Sequence, residues 1–459
     1  MAEGKDISGD EASAALIGPS SRSSALNATF NLVNTVVGGG ISVVALPLAA
    51  KLSGIILYPV LNLVLAFLAG YTADLLILTS IHTHSTTYSI AARRTLGLWA
   101  PMLVHVLIVF FLFGAAVAVL QTFAAIVPPY LPGDSWIWVS ASSLVTLLLL
   151  LFARSLDSIV SLSVYALIFL FAFGCLALDQ AVENAHSLAG LPLWPSSGQS
   201  LLAATSILVF AYVCHFQVIT IFQGLQEPRR HLWLQSLTAS MGISGAFYSV
   251  VGICGLLANP GTAGNMLVDL LGSTLSKVVT FGLALGFAIT VPLISWEGVR
   301  SFRALLCCES LARVCRSGGL ESSETVDSND DVSSGSSSSS EADGSTAACQ
   351  IGSEGTTASF VAACCIWMTS VTLIAVYYKD VGKVISVTGA ISGTPIMFVL
   401  PPLMFVSVIN SENQGARVTL PDCTSLVTSR GIYGRWFAYA TVALGIALTV
   451  ACTYSSLMA

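Results

Sequence analysis

The sequence predicts an all-α integral membrane protein with about eleven transmembrane helices. Hydrophobic residues make up 55% of the 459-residue chain and charged residues only 9%, and the mean hydropathy is +0.83. A soluble domain usually has about a quarter of its residues charged. Apolar runs of about 18 or more residues, the length that crosses a bilayer, recur along almost the whole chain. Most of the chain is therefore expected to lie in lipid.

Eleven of these apolar runs are candidate spans, and the charges between them predict the topology. Cytoplasmic loops are enriched in Lys and Arg, and every Arg is cytoplasmic if the N-terminus is cytoplasmic. An odd number of spans then places the C-terminus on the extracytosolic side. The runs lie near 28–50, 54–80, 101–127, 136–153, 157–178, 200–222, 236–258, 271–295, 358–378, 382–408 and 433–456.

Two polar regions are predicted outside the membrane. Residues 1–27 form a cytoplasmic tail, spans one to eight occupy 28–299, a loop occupies 300–357, and spans nine to eleven occupy 358–457. The loop contains ESSETVDSNDDVSSGSSSSSEADGS, which has almost no apolar side chains and so cannot bury a core. We expect this Ser-rich cytoplasmic loop to be disordered, and to serve either as a spacer or as a phosphorylated regulatory segment.

Span one contains the most informative stretch, NATFNLVNTVVGGGISVVALP over Asn27–Pro47. Asn34 and Thr35 precede three successive glycines, each of which costs roughly 0.8–1 kcal/mol of helix propensity relative to alanine. In lipid the freed backbone groups need partners, so an interrupted helix survives only against protein or a water-filled cavity. The glycine run therefore predicts a helix broken near the middle of the membrane, which is typical of secondary transporters.

Span six contains a second group of polar residues. His215 and Gln217 interrupt the apolar stretch that runs from Ile207 towards Arg230. Polar side chains inside a membrane face the protein interior and are candidates for function. The alternative is that His215 makes a helix–helix hydrogen bond. Because His215, Asn34 and the glycines all lie near the middle of their spans, we expect them to share one cavity.

Four segments match motifs that occur together in one protein family. They are FNLVNTVVGGGISVVALP in span one, YSIAARRTLG (Tyr88–Gly97) after span two, FAYVCHFQVITIFQGLQEPRR in span six and TGAISGTPIMFVLPPLMF (Thr388–Phe405) in span ten. In this order they resemble the amino acid/auxin permease family of the APC superfamily. The chain is similar in particular to the sodium-coupled neutral amino acid transporter branch and its vacuolar relatives.

The resemblance implies a LeuT-like fold with a 5+5 inverted repeat, spans one to five and six to ten, followed by an extra span eleven. Helices one and six are broken in this fold, and the break in span six is expected near Ala211–Cys214. Half-helix N-termini suit a substrate carboxylate, and glycines let the backbone approach it closely. For Phe210 and Tyr212, plain packing is the alternative to a place in the pocket wall. The implied substrate-binding residues are Gly38, Gly39, Gly40, Thr35, Phe210, Tyr212, Cys214 and His215.

The coupling ion is expected to be sodium or a proton, with no other cofactor. In sodium-coupled members of the family an Asn of span one and a Thr of span eight help to bind the ion, and Asn34 and Thr290 match those positions. Their neutral oxygens suit a hard cation. Many transporters of this fold place a second hydroxyl after the Thr, where this chain has Val291. Proton coupling through His215, which titrates closest to neutral pH, therefore stays open.

These features predict a secondary active amino acid transporter of neutral or broad specificity that works by alternating access. The chain has no GxSxG, HExxH or P-loop motif, which argues against an enzyme, and no basic stripe for nucleic acid. The alternative function is a membrane amino-acid sensor (transceptor) that binds substrate in the same cavity without significant transport. We expect a functional monomer in the lipid bilayer of the plasma membrane or of a vacuole- or lysosome-like membrane.

Overall fold

The computed structural model describes the chain as a bundle of helices. It describes residues 25–37, 41–128, 130–152, 157–183, 191–225, 230–261, 274–318, 357–413 and 434–458. The α-helices of this part of the chain are α1 Ala25–Val36, α2 Ile41–Ser53, α3 Leu57–His82, α4 Tyr88–Leu96, α5 Ala100–Ile126, α6 Ser135–Phe152, α7 Asp157–Glu183, α8 Gly198–Tyr212, α9 His215–Gln223, α10 Arg230–Ala258, α11 Thr274–Gly318, α12 Thr357–Tyr377, α13 Val381–Thr388, α14 Leu400–Asn413 and α15 Arg435–Met458. Two π-helical segments, Gly389–Gly393 and Pro395–Val399, connect α13 to α14.

The described helices form eleven spans, as the sequence predicts. Ten helical segments of the described residues are long and apolar enough to cross a bilayer, and α1 with α2 forms one further span that is bent by 63°. Span six consists of α8 and α9, and span ten of α13, the two π segments and α14. The remaining spans are α3 (two), α5 (three), α6 (four), α7 (five), α10 (seven), α11 (eight), α12 (nine) and α15 (eleven). The predicted breaks in spans one and six are confirmed.

Span eight extends beyond its predicted end. Helix α11 runs to Gly318, so the first part of the loop predicted for 300–357 is helical up to that residue. Arg, Leu and Ala supply nine of the nineteen residues 300–318, and all three have high helix propensity. The Ser-rich stretch that follows, and the tail before residue 25, lie outside the described residues.

Spans one, two, six and seven pack together and bring the two broken helices side by side. Helix α10 packs along α1, α2 and α3, and α2 packs along α8. Span eight packs chiefly on spans three and five. Small residues allow the close approach that is common between membrane helices. At Gly252 of α10, for example, an added Cβ would overlap the Tyr58 ring of α3.

A tyrosine hydroxyl from another helix binds a carbonyl in the π-helical part of span ten. The Leu400 N–H bonds to the Pro395 carbonyl, five residues back. Pro401, the next residue in that pattern, has no N–H to give to Ile396. The Tyr88 hydroxyl donates to the Ile396 carbonyl instead, at 2.9 Å. The short helix α4 is thereby fastened to span ten.

Replacing Tyr88 with Phe is expected to lower the stability of the folded protein by about 1–3 kcal/mol, because the buried Ile396 carbonyl loses its hydroxyl donor. Tyr88 is itself buried, so water cannot take the place of the hydroxyl. The measurement is the melting temperature in detergent. Tyr130→Phe is the matched control, since the Tyr130 hydroxyl donates to the Lys277 carbonyl at an exposed position. Equal melting temperatures for both variants would contradict this role of Tyr88.

Candidate functional site

The two breaks interrupt spans one and six in their middle. Helix α1 ends at Val36 and α2 begins at Ile41, while α8 ends at Tyr212 and α9 begins at His215. Between α8 and α9 the backbone is extended at Val213, with φ −70° and ψ 101°. The break in span six thus falls inside the predicted stretch 211–214, whereas the three predicted glycines, 38–40, lie outside the described residues. Each break ends one helix and begins another, so it presents free carbonyls and free N–H groups.

Tyr248 of span seven touches both breaks. Its hydroxyl oxygen lies 2.7 Å from the Val36 carbonyl at the end of α1 and 3.2 Å from the Ala211 carbonyl at the end of α8. The Ser42 hydroxyl, near the start of α2, lies 3.2 Å away. Tyr248 is fully buried. The Tyr248 side chain therefore connects the carboxyl ends of α1 and α8 to the beginning of α2.

Tyr212 belongs to a buried polar network between spans two, six and seven. Its hydroxyl donates to Asn62 Oδ1 at 2.7 Å, and Asn62 Nδ2 donates to the Gly245 carbonyl at 2.8 Å and to Ser249 Oγ at 2.9 Å. The Tyr212 and Tyr248 rings lie 5.3 Å apart, edge to face. The network holds the tyrosines at the level of the breaks, and the Tyr212 hydroxyl itself bonds to span two.

His215, the first residue of α9, has one ring nitrogen bonded and one unbonded. Its Nε2 lies 2.9 Å from Thr72 Oγ1 of span two. Thr72 Oγ1 also lies 2.9 Å from the Leu68 carbonyl and 3.2 Å from the Ala69 carbonyl. With the single hydrogen of the threonine hydroxyl on one of these carbonyls, its oxygen accepts from His215 Nε2–H. Nδ1 is then an acceptor, and it is buried without a hydrogen-bond partner among the described residues.

Thr35 and Gln217 connect the two broken spans. Thr35 Oγ1 lies 2.8 Å from the Asn31 carbonyl in its own helix and 2.9 Å from Gln217 Oε1 of α9. Asn34, the preceding residue, is half-buried. Cys214, between the two halves of span six, is fully buried. These predicted site residues thus lie at or next to the breaks.

Phe210 and Thr290 have different surroundings. The Phe210 ring lies 4.9 Å from the Phe111 ring of span three, and its Cβ lies 2.9 Å from where a Cβ on Gly389 would be. It therefore packs against spans three and ten. Thr290 is buried and donates its hydroxyl to the Gly286 carbonyl of its own helix at 2.9 Å. Its oxygen lone pairs keep the capacity to bind a cation.

Comparison with known families identifies the chain. The model of the family described as "Transmembrane amino acid transporter protein" matches residues 21–440. The chain belongs to this family. The predicted resemblance to amino acid transporters is therefore confirmed, and the chain is a multi-pass membrane protein.

Individual relatives are distant but consistent with this family. The chain is 26% identical to amino acid transporter AVT6E of Arabidopsis thaliana, 21% to putative sodium-coupled neutral amino acid transporter 11 of Danio rerio and 25% to vacuolar amino acid transporter 7 of Saccharomyces cerevisiae. The matched regions cover 58%, 86% and 54% of this chain. They cover 59%, 81% and 52% of the respective relatives. These relatives are named as transporters rather than enzymes.

Solved structures confirm the LeuT-like fold class. The structure of Mhp1 in an inward-facing conformation matches with a TM-score of 0.54 and 13% identity, over 96% of this chain and 90% of that one. Mhp1 in a closed conformation with bromovinylhydantoin bound, described as a nucleobase-cation-symport-1 family transporter, matches with a TM-score of 0.54 and 14% identity. At such low identity the likeness concerns the fold alone.

Sequence reasoning missed several residues of this membrane-embedded site, among them Tyr248, Thr72 and Asn62. Asn62 and Thr72 carried a usable signal, because polar side chains in an apolar span usually face the protein interior. Tyr248 gave no usable signal in the sequence. Phe247 beside it is also aromatic, and packing alone decides which of the two faces the protein interior. Only the folded arrangement shows that the Tyr248 hydroxyl reaches both breaks.

Proposed function

We propose that the protein is a secondary active transporter for neutral amino acids that works by alternating access. The observation that carries this proposal is the meeting of the carboxyl ends of α1 and α8 at Tyr248, beside the beginnings of α2 and α9. Helix carboxyl ends carry partial negative charge and helix amino ends partial positive charge. An amino acid zwitterion needs both, an acceptor-rich place for its ammonium group and a donor-rich place for its carboxylate.

The groups near the breaks suit the two ends of an amino acid. The Val36 and Ala211 carbonyls can accept hydrogen bonds from an ammonium group, and His215 Nδ1 can accept one from a polar side chain of the substrate. The free N–H groups at the starts of α2 and α9 can donate to a carboxylate, with the glycines of span one allowing close approach. Among the described residues 32–37, 41–44 and 209–218 there is no Asp, Glu, Lys or Arg. A charged substrate side chain would therefore be buried unpaired, which favours neutral substrates.

Coupling to sodium through Asn34 and Thr290 is the first hypothesis for the driving ion. Both residues offer neutral oxygens, and the relative from Danio rerio is named "putative sodium-coupled neutral amino acid transporter 11". Proton coupling through His215 is the second hypothesis. We further propose that the N-terminus is cytoplasmic and that the protein works as a monomer. Its membrane is proposed to be the plasma membrane or a vacuole-like membrane, since the yeast relative is named as a vacuolar transporter.

Uptake by purified protein in liposomes tests the proposal. A radiolabelled mixture of the twenty common amino acids is offered under an imposed sodium gradient, an imposed proton gradient or neither. Accumulation of label that requires one gradient supports the transporter and names the ion. Binding of label without accumulation would instead support the amino-acid sensor, and uptake that ignores both gradients would indicate a facilitator.

If sodium is the coupling ion, Thr290→Ala is expected to raise the sodium concentration for half-maximal uptake. Loss of one oxygen ligand costs about 1–3 kcal/mol, which corresponds to roughly tenfold to hundredfold in affinity. Saturating sodium should restore much of the rate. Thr280→Ala is the matched control, because Thr280 is also buried in α11 and its hydroxyl makes the same type of bond, to the Ser276 carbonyl at 2.7 Å. An unchanged sodium dependence in Thr290→Ala would remove this residue from the ion site.

A further inference from the structure

Among the described residues, the hydrogen-bond acceptors around Tyr248 outnumber the side-chain hydrogens that reach them. Tyr248 has one hydroxyl hydrogen, yet both the Val36 and the Ala211 carbonyl lie within bonding distance of its oxygen. The Ser42 hydroxyl contributes one more hydrogen, and at 3.2 Å it can either donate to Tyr248 or accept from it. Buried acceptors are normally satisfied, so the described groups of this centre are suited to a ligand that brings several donors.

We propose that the Tyr248 hydroxyl oxygen is a direct ligand of the transported molecule's amino group and makes the protein select primary amino acids over N-alkylated ones. This inference rests on the proposed function. An ammonium group has three N–H donors, and it would give one each to the Val36 carbonyl, the Ala211 carbonyl and Tyr248 Oη. Tyr248 would then turn its own hydrogen to Ser42 Oγ. The three ammonium hydrogens and the Tyr248 hydrogen then each have an acceptor.

The surroundings of Tyr248 fix its oxygen in place for such a role. Its backbone carbonyl accepts a hydrogen bond from the Tyr58 hydroxyl at 2.9 Å, and its ring packs edge to face on Tyr212. Tyr58 and Tyr212 are both fully buried. An acceptor that is already held in position costs little entropy when it binds a ligand. The oxygen is therefore positioned before the ligand arrives.

N-Methylation of the ligand separates this role from a purely structural one. A methyl group replaces one of the three N–H donors, so one of the three acceptors stays unmet in the wild-type protein. We expect the N-methyl derivative to bind about tenfold or more weakly than the primary amino acid. In Tyr248→Phe only two acceptors remain, so the ratio of the two affinities should fall several-fold, towards one.

The experiment is displacement of a radiolabelled amino acid mixture from the purified full-length protein. The two competitors are the primary amino acid that displaces most label and its N-methyl derivative, and the result is the ratio of their half-displacing concentrations. Tyr88→Phe is the matched control, because it removes a buried tyrosine hydroxyl that bonds to the Ile396 carbonyl of span ten and does not reach the breaks. It should keep the wild-type ratio even if both affinities fall.

A fallen ratio in Tyr248→Phe alone supports the proposal, whereas the wild-type ratio in Tyr248→Phe, or an equal fall in Tyr88→Phe, overturns it. Ser42→Ala is the second variant if Tyr248→Phe does not fold. Without the Ser42 oxygen, the Tyr248 hydrogen stays on a carbonyl that the ammonium needs, so the ratio should fall there as well. An unchanged ratio in Ser42→Ala would then overturn the proposal. A wild-type protein that binds no amino acid would instead refute the proposed function.

Discussion

Replacing Gly389 with alanine is expected to lower the melting temperature and the yield of folded protein. Gly389 begins the first π segment of span ten and lies against span six. A Cβ there would overlap the backbone carbonyl oxygen of Ser206 and would lie 2.9 Å from Phe210 Cβ. Backbone atoms of two packed helices cannot turn aside as a flexible side chain can. Overpacking of this kind costs about 1–3 kcal/mol or more, a large part of a typical stability.

The measurements for Gly389→Ala are the monodisperse fraction after detergent extraction and the melting temperature. Gly242→Ala is the control, because Gly242 of α10 has no atom within 4 Å of the position of an added Cβ. Alanine there improves helix propensity by roughly 1 kcal/mol, so this variant should be at least as stable as the wild type. A Gly389→Ala protein as abundant and as stable as Gly242→Ala would show that spans six and ten are not packed this closely.

The number of spans could be predicted because lipid imposes a simple rule on sequence. A spanning helix needs a long apolar run, and the eleven runs stand out against charged connections. The break in span one also has a local cause, since three adjacent glycines weaken the helix. The break in span six has no such cause, because AYVCHF contains neither Gly nor Pro. Its position followed from the family resemblance.

The partners of the site residues could not be predicted from the sequence. His215 bonds to Thr72, which is 143 residues away, and Tyr248 reaches carbonyls on two other helices. Such pairs depend on how each helix is rotated, and an apolar span surrounded by lipid and protein gives a weak periodic signal. Phe210 illustrates the same limit, because a phenylalanine near a break is equally compatible with a pocket wall and with packing. The roles of the other candidate residues stay predictions.

His215→Gln is expected to weaken amino acid binding about tenfold to a hundredfold while the protein stays folded. A glutamine amide N–H reaches the position of the imidazole Nε2, so the hydrogen bond to Thr72 is kept. The acceptor at the Nδ1 position is lost, and under the proposed function that nitrogen accepts from a polar side chain of the substrate, since the three ammonium hydrogens go to Val36, Ala211 and Tyr248. The measurement is displacement of labelled amino acids from purified protein, together with the melting temperature.

His215→Asn is the matched variant, because its shorter side chain has the opposite effect. An asparagine amide oxygen lies near the position of Nδ1, whereas nothing reaches Thr72. This variant should retain more of the affinity than His215→Gln but lose stability, since a buried hydrogen bond is broken. His215→Asn should thus bind amino acids more tightly than His215→Gln but have the lower melting temperature. The reverse order, with wild-type binding in His215→Gln and the larger loss in His215→Asn, would make the helix–helix bond to Thr72 the whole role of His215.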